Sequence, residues 1–189
     1  MKKQSQLKPW HVKNSKYLLK DRWITVRADE CVTAKGTVIS PYYVLEYPDS
    51  VHMIVLDQNH RILITRQYRH GAQKIVAELP CGYMEPHETP LAAAKRELME
   101  ETGYTGKFTL AGVTSPNPAT HTNNIYTYLV TRPVLKEAPE RNPFEVITYE
   151  FADLKKILKL IEKKEFFQAL HISSLFLGLR KSGVKMPAR

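Results

Sequence analysis

Between Thr89 and Gly103 the sequence carries both ends of one helix. Thr89 offers a hydroxyl to the first unpaired N–H groups, and Pro90 takes the first helical position, where its missing N–H costs nothing. Gly103 supplies the residue that closes the last turn. At ~100° per residue, Leu91, Ala94, Leu98 and Thr102 fall on one stripe, which is expected to pack on a sheet. Glu97, Glu100 and Glu101 share a neighbouring sector, with Glu97 facing the other two at i, i+3 and i, i+4. Like charges so placed cost a helix ~0.2–0.5 kcal/mol per pair unless something neutralises them. Two readings of this sector are open. A hard divalent cation would take the carboxylate oxygens and bring substrate phosphates with it. A solvated acidic face, with Arg96 bridging to Glu100, would serve as well.

Around that helix, alternating β-formers predict strands at 17–19, 23–26, 38–45, 51–56 and 61–65, the last two joined by the turn Asp57-Gln58-Asn59-His60. Further strands are expected at 108–113, 125–130 and 146–149, then helices at about 151–164 and 167–181. The stretch 132–143 holds Pro133, Pro139 and Pro143 and is expected to be a loop, because proline cannot donate to a sheet ladder. Strands around one central helix, followed by two more helices, make an α/β arrangement: a mixed sheet with helices on its faces. Residues 1–48 are read as an N-terminal antiparallel strand region, and 49–189 as the main domain.

The net charge of +9 is unevenly spread. Residues 1–29 carry eight Lys or Arg against Asp21 and Asp29, and 151–189 carry nine against Asp153, Glu162 and Glu165. From Glu85 to Glu101 the sign reverses, with five glutamates against Lys95 and Arg96. Basic ends attract polyanions through a long-range field, but a solvated surface is the preferred account of them. No apolar run approaches the ~18 residues of a membrane span, which excludes a transmembrane helix. No secretory signal follows the basic N-terminus, so a cytoplasmic setting is expected. Cys31 and Cys81 stand alone, which excludes a disulfide framework or a cysteine zinc site.

From Gly82 the chain reads Gly, five residues, Glu88, seven residues, Arg96-Glu97-Leu98, one residue, Glu100-Glu101, one residue, Gly103-Tyr104. This resembles, at every position, the 23-residue loop–helix–loop signature of the Nudix hydrolases. The resemblance implies a Nudix-like α/β/α sandwich and hydrolysis of a nucleoside diphosphate linked to another moiety, with Mg²⁺ or Mn²⁺ as cofactor. It further implies that Glu97 and Glu101 are the principal metal ligands, with Glu100 also in the site and the main-chain carbonyl of Cys81 as a further oxygen. Arg96 and Glu88 would orient the others. Gly82 and Gly103 would serve the turns into and out of the helix.

The flanks Arg66-Gln67-Tyr68-Arg69 and Glu78-Leu79-Pro80-Cys81-Gly82 are similar to the branch that cleaves ADP-ribose and nucleoside diphosphate sugars. Cys81 stands where that branch commonly has alanine, and Ser115-Pro116-Asn117-Pro118 replaces its commoner Ser-Pro-Gly. By this likeness Arg69, and with it Arg66, would bind the substrate's diphosphate. Trp23, with Trp10 and Tyr17, offers an aromatic face for the base, with core packing as the alternative role for each. Members of the branch are usually dimers whose N-terminal strands exchange across the interface, so a homodimer is expected. A loop glutamate after the motif often acts there as catalytic base; Glu140 is preferred to Glu145, and Glu100 is the alternative on the helix.

Two rival functions use the same residues. One is removal of pyrophosphate from a 5′-triphosphorylated RNA, which the basic ends would hold; no RNA-module motif with interleaved aromatics supports it, and a nucleic-acid partner is not expected. The other is a non-catalytic sensor of ADP-ribose or a nucleotide sugar, which would have no need of every metal ligand.

Overall fold

A computed structural model describes residues 7–139 and 146–184. The described residues divide into two compact units, 7–47 with 115–123, and 48–114 with 124–139 and 146–184.

In the first unit β1 (His11–Lys20), β2 (Thr25–Val32) and β3 (Val38–Glu46) form an antiparallel sheet in chain order. The β1–β2 turn is shaped by Asp21, whose carboxylate accepts the Trp23 and Ile24 N–H groups at 2.7 and 2.9 Å. Arg27 on β2 pairs with Asp29 at 2.8 Å and with Glu46. Residues 115–123 lie along β3: the Leu45 N–H donates to the Thr120 carbonyl at 2.7 Å, and the Tyr42 hydroxyl donates to that of Ala119. Every residue of β1 is exposed.

The second unit is built on a mixed sheet ordered β10-β5-β4-β9-β8. Its strands are β4 (Ser50–Leu56), β5 (Ile62–Arg69), β6 (Lys74–Glu78), β7 (Cys81–Tyr83), β8 (Tyr104–Thr114), β9 (Ile125–Leu135) and β10 (Thr148–Ala152). β4 and β9 run parallel; the other pairs are antiparallel. One face packs on α1 (Pro90–Thr102) through Val51, Met53, Val55, Leu63 and Leu98. The other packs on α2 (Leu154–Glu162) and α3 (Ala169–Ser182) through Ile54, Ile62, Ile64, Ile157 and Leu175. Side chains alternating across β4 and β5 thus feed two separate cores.

β4 and β5 are paired only at Leu56 and Ile62. Beyond that rung they separate, β7 pairs with β4, β6 pairs with β5, and Glu78 to Cys81 crosses between them. The short strands β6 and β7 were not expected from the sequence.

Two further expectations need correction. β9 continues through Pro133, where a loop had been read. Arg132 adopts a left-handed φ of 55° at a bulge opposite β8, and the β4 pairing ends at Leu56–Thr131, so Pro133 needs no donor on that side. On α1 the buried stripe uses Ala93, Ala94, Leu98 and Thr102, while Leu91 is 40% exposed. Ala93 stands ~200° around the helix from Leu91, so the face that buries Ala93 turns Leu91 outward.

Candidate active site

The carboxylates are brought together by α1 and by the strand it covers. Thr89 caps the helix by accepting the Ala92 N–H at 3.3 Å, and Gly103 ends it at φ 72°, its N–H returning to the Met99 carbonyl. Arg96 then gathers the acids. Its Nε and one Nη grip Glu88 at 3.0 and 2.9 Å, while the other Nη reaches Glu97 at 2.7 Å and Glu100 at 3.1 Å. These bonds raise the Arg96 pKa, Glu88 foremost, so the guanidinium stays charged.

Glu101 lies on the other side of Glu97 and accepts the Cys81 N–H at 3.1 Å. Burial first of all, and then the nearby Glu97 charge, push its carboxyl well above the ordinary range, although the Cys81 N–H works the other way. A buried carboxylate beside a second one, both against the same strand, fits a hard divalent cation: Glu97, Glu101, the more exposed Glu100 and the Cys81 carbonyl could supply oxygens. Gly82 is part of that fit. A Cβ there would stand 1.9 Å from the Glu97 carboxyl carbon. Gly82 therefore serves close approach rather than the turn into the helix that the resemblance implied; its φ is not positive, and it lies within β7.

Arg69, at the end of β5, reaches the same short strand. Its Nε lies 3.0 Å and one Nη 2.8 Å from Glu78 Oε2, and the same Nη is 3.9 Å from the Cys81 sulfur. Glu78 is buried and also accepts from Gln67 at 3.2 Å. Arg66 is not brought to this group. It projects from the other face of β5, toward Glu165 at 3.5 Å and Glu150 at 3.7 Å. Trp23 belongs to the first unit, 70% exposed, with the Arg22 guanidinium 4.1 Å over its ring. Glu140 and Glu145 lie outside the described residues.

The spacing of charges on α1 and the strand that receives them decide the classification. A NUDIX domain matches residues 46–171, and a nucleoside diphosphate sugar hydrolase N-terminal domain matches residues 10–45. The chain belongs to the NUDIX family. Among its relatives, the ADP-ribose pyrophosphatase of Bacillus subtilis is 30% identical over 129 residues, covering 67% of this chain and 69% of that one. The ADP compounds hydrolase NudE of Escherichia coli is 28% identical over 132 residues, 68% of this chain and 69% of that one. A crystal structure of an ADP compounds hydrolase superposes with a TM-score of 0.82 over 95% of this chain and 99% of that one, at 21% identity. It shares the fold of this Nudix hydrolase.

Sequence reading missed a set of buried polar residues beneath the site. The His52 ring on β4 stacks on the His171 ring of α3, centroids 4.3 Å apart and planes within 1° of parallel. Burial, with a smaller contribution from Arg69, holds His52 neutral with a pKa lowered to about 4; burial and His52 hold His171 well below its usual range. Ring nitrogens of both and the Cys81 sulfur lie within 4.8 Å of one another. Parallel rings aim their in-plane lone pairs side by side rather than at one point, and the Arg69 cation sits beside the thiol. The group therefore reads as packed support, not as a second metal centre. The available signal was a histidine inside the otherwise apolar run Val51 to Leu56.

Proposed function

We propose that this Nudix hydrolase cleaves the diphosphate of ADP-ribose and related nucleoside diphosphate sugars to a nucleoside monophosphate and a sugar phosphate, with Mg²⁺ or Mn²⁺ held by Glu97, Glu100, Glu101 and the Cys81 carbonyl. The observation that carries this reading is the meeting on one short strand of the Glu97 and Glu101 carboxylates with the Arg69 guanidinium. The first suit a divalent cation and the last suits a diphosphate. Relatives named for ADP-ribose and ADP compounds support the substrate class.

A divalent ion, when bound, neutralises phosphate charge and acidifies water. The chain's own residues do the rest. Arg96 keeps Glu97 and Glu100 in place, Arg69 takes diphosphate oxygens with the guanidinium edge that Glu78 leaves open, and Glu140, in preference to Glu145 or Glu100, accepts the proton of the attacking water. Trp23 offers its exposed ring to the base. Exposed Val12, Tyr17, Leu18 and Leu19 on β1 support a homodimer formed through the N-terminal sheet. Two cysteines without a disulfide suit the cytoplasm.

Incubation with ADP-ribose and Mg²⁺ should yield AMP and ribose 5-phosphate by chromatography, with no inorganic phosphate, and chelation should stop it. Faster pyrophosphate release from deoxynucleoside triphosphates or triphosphorylated RNA would overturn the reading. Light scattering should give twice the chain mass.

A further inference from the structure

Where β4 and β5 separate, the chain leaves β6, paired with β5 as far as Glu78, and enters β7, paired with β4 from Cys81, and main-chain N–H groups around this crossing find acceptors outside the two ladders. The Ala77 N–H donates to the Glu165 carbonyl at 2.8 Å, and the Cys81 N–H to Glu101 at 3.1 Å. The Leu79 N–H, between them, donates to a side chain on the far face of the sheet: His171 Nδ1, at 3.2 Å. Because Nδ1 accepts, the neutral ring carries its proton on Nε2, which lies 3.8 Å from Glu78 Oε1. Glu78 in turn holds Arg69 by two nitrogens.

The His171 ring is locked. It is 1% exposed and stacks on His52, whose Nδ1 bonds Ser174 Oγ at 2.9 Å; Ser174 also accepts from Thr127 at 2.9 Å. Helix α3 comes close enough because Gly178 has no Cβ, which would stand 2.5 Å from Ile54. One ring thus bonds the main chain two residues before Cys81 and faces the carboxylate that aims Arg69.

We propose that His171 is a positioning residue for the diphosphate-bearing substrate: by accepting the Leu79 N–H it fixes the main chain that carries Glu78, and Glu78 sets the Arg69 guanidinium. This rests on the hydrolase reading above. His171 touches no reacting atom, so its loss acts on ground-state binding more than on the chemical step.

The test uses the full-length protein with His171→Asn and His171→Gln. The asparagine oxygen falls near the position of Nδ1 and can still accept from Leu79; the glutamine oxygen falls near Nε2 and cannot. Both are polar and of similar size, so a difference between them is not one of folding, which equal melting temperatures would check. With ADP-ribose, His171→Gln should raise KM about tenfold or more with kcat within about threefold, and His171→Asn should restore KM to within about threefold of the parent. In the free protein the Arg69 Nε–H NMR signal, identified by its absence in Arg69→Lys, should shift and exchange faster in His171→Gln only. An unchanged KM and Arg69 signal in His171→Gln, or identical behaviour of the two variants, would overturn the proposal. A parent protein inactive on ADP-ribose would count against the hydrolase reading alone, since the Arg69 signal needs no substrate.

Discussion

Replacing Gly82 by alanine should separate activity from stability in this protein. A methyl group there would stand 1.9 Å from the Glu97 carboxyl carbon and 2.2 Å from both its oxygens. Ordinary contact between carbon atoms is ~3.5–4.0 Å, so the carboxylate must retreat by about 1.5 Å or more. The obstructing atoms are the far end of a flexible side chain, so Glu97 can swing away without moving α1, and the melting temperature should fall by no more than ~4 °C. The cost falls on function, because Arg96 loses the Glu97 partner it holds at 2.7 Å and the carboxylate pair against β7 comes apart. Misplacing a catalytic group by ~1 Å can cost on the order of 10²-fold. Gly82→Ala should therefore lower kcat/KM for ADP-ribose at least ~10²-fold and raise the Mg²⁺ concentration needed for half-activity. Calorimetry and chromatographic assay of AMP release with a Mg²⁺ titration would measure both. Near-wild-type kcat/KM would refute the placement of Glu97 in the metal site. A collapse of the melting temperature with unchanged kcat per folded molecule would refute the claim that Gly82 serves the carboxylate.

Glu101→Gln should abolish most turnover while leaving the metal-free fold at least as stable at pH 7, because the buried carboxylate is disfavoured there by burial and by Glu97; circular dichroism melts beside the rate assay check both halves. The pKa of His52 is lowered to about 4 from 6.5, so the unfolded chain binds the extra proton first as the medium is acidified. Stability is then full above about pH 6.5 and lost as pH falls toward about 4, and His52→Asn should flatten that part of the melting-temperature profile. Among Glu140→Gln, Glu145→Gln and Glu100→Gln, the first should lower kcat at least ~10²-fold with little change in KM, as expected for a general base. A near-wild-type kcat there, with collapse in one of the others, would move the role to that residue.

What could be read from the chain was local. The Thr89 cap, the Gly103 stop and the glutamate sector all lie within one helix, where 3.6-residue spacing maps directly onto a face. The strands 38–46 and 50–56 were legible for the same reason, whereas β6 and β7 are too short to show a period against their neighbours. Arg66 and Arg69 share one strand and one motif, yet an odd spacing sends them to opposite faces: Arg69 to Glu78, and Arg66 to Glu150 and Glu165, residues about 84 and 99 positions away in the chain. No local pattern encodes which of two faces lies over a metal site.

The same limit explains why His171 was invisible. Its partners Leu79, Glu78 and His52 are 92 or more positions distant, and it reaches them only because β4 and β5 part after a single rung. That parting gives the second unit its chemistry. A sheet in which β4 and β5 stayed paired along their length would have left no crossing at residues 78–81 and kept the two faces apart. With the strands open, the Cys81 N–H meets a helix glutamate from one face and the Leu79 N–H meets a helix histidine from the other, and the carboxylate of the adjoining Glu78 holds Arg69. The carboxylate helix and the supporting helix are thereby coupled through four residues of main chain. A change on α3 that leaves every proposed metal ligand in place should then alter how the diphosphate is held, while the reverse face of a fully paired sheet would tolerate it.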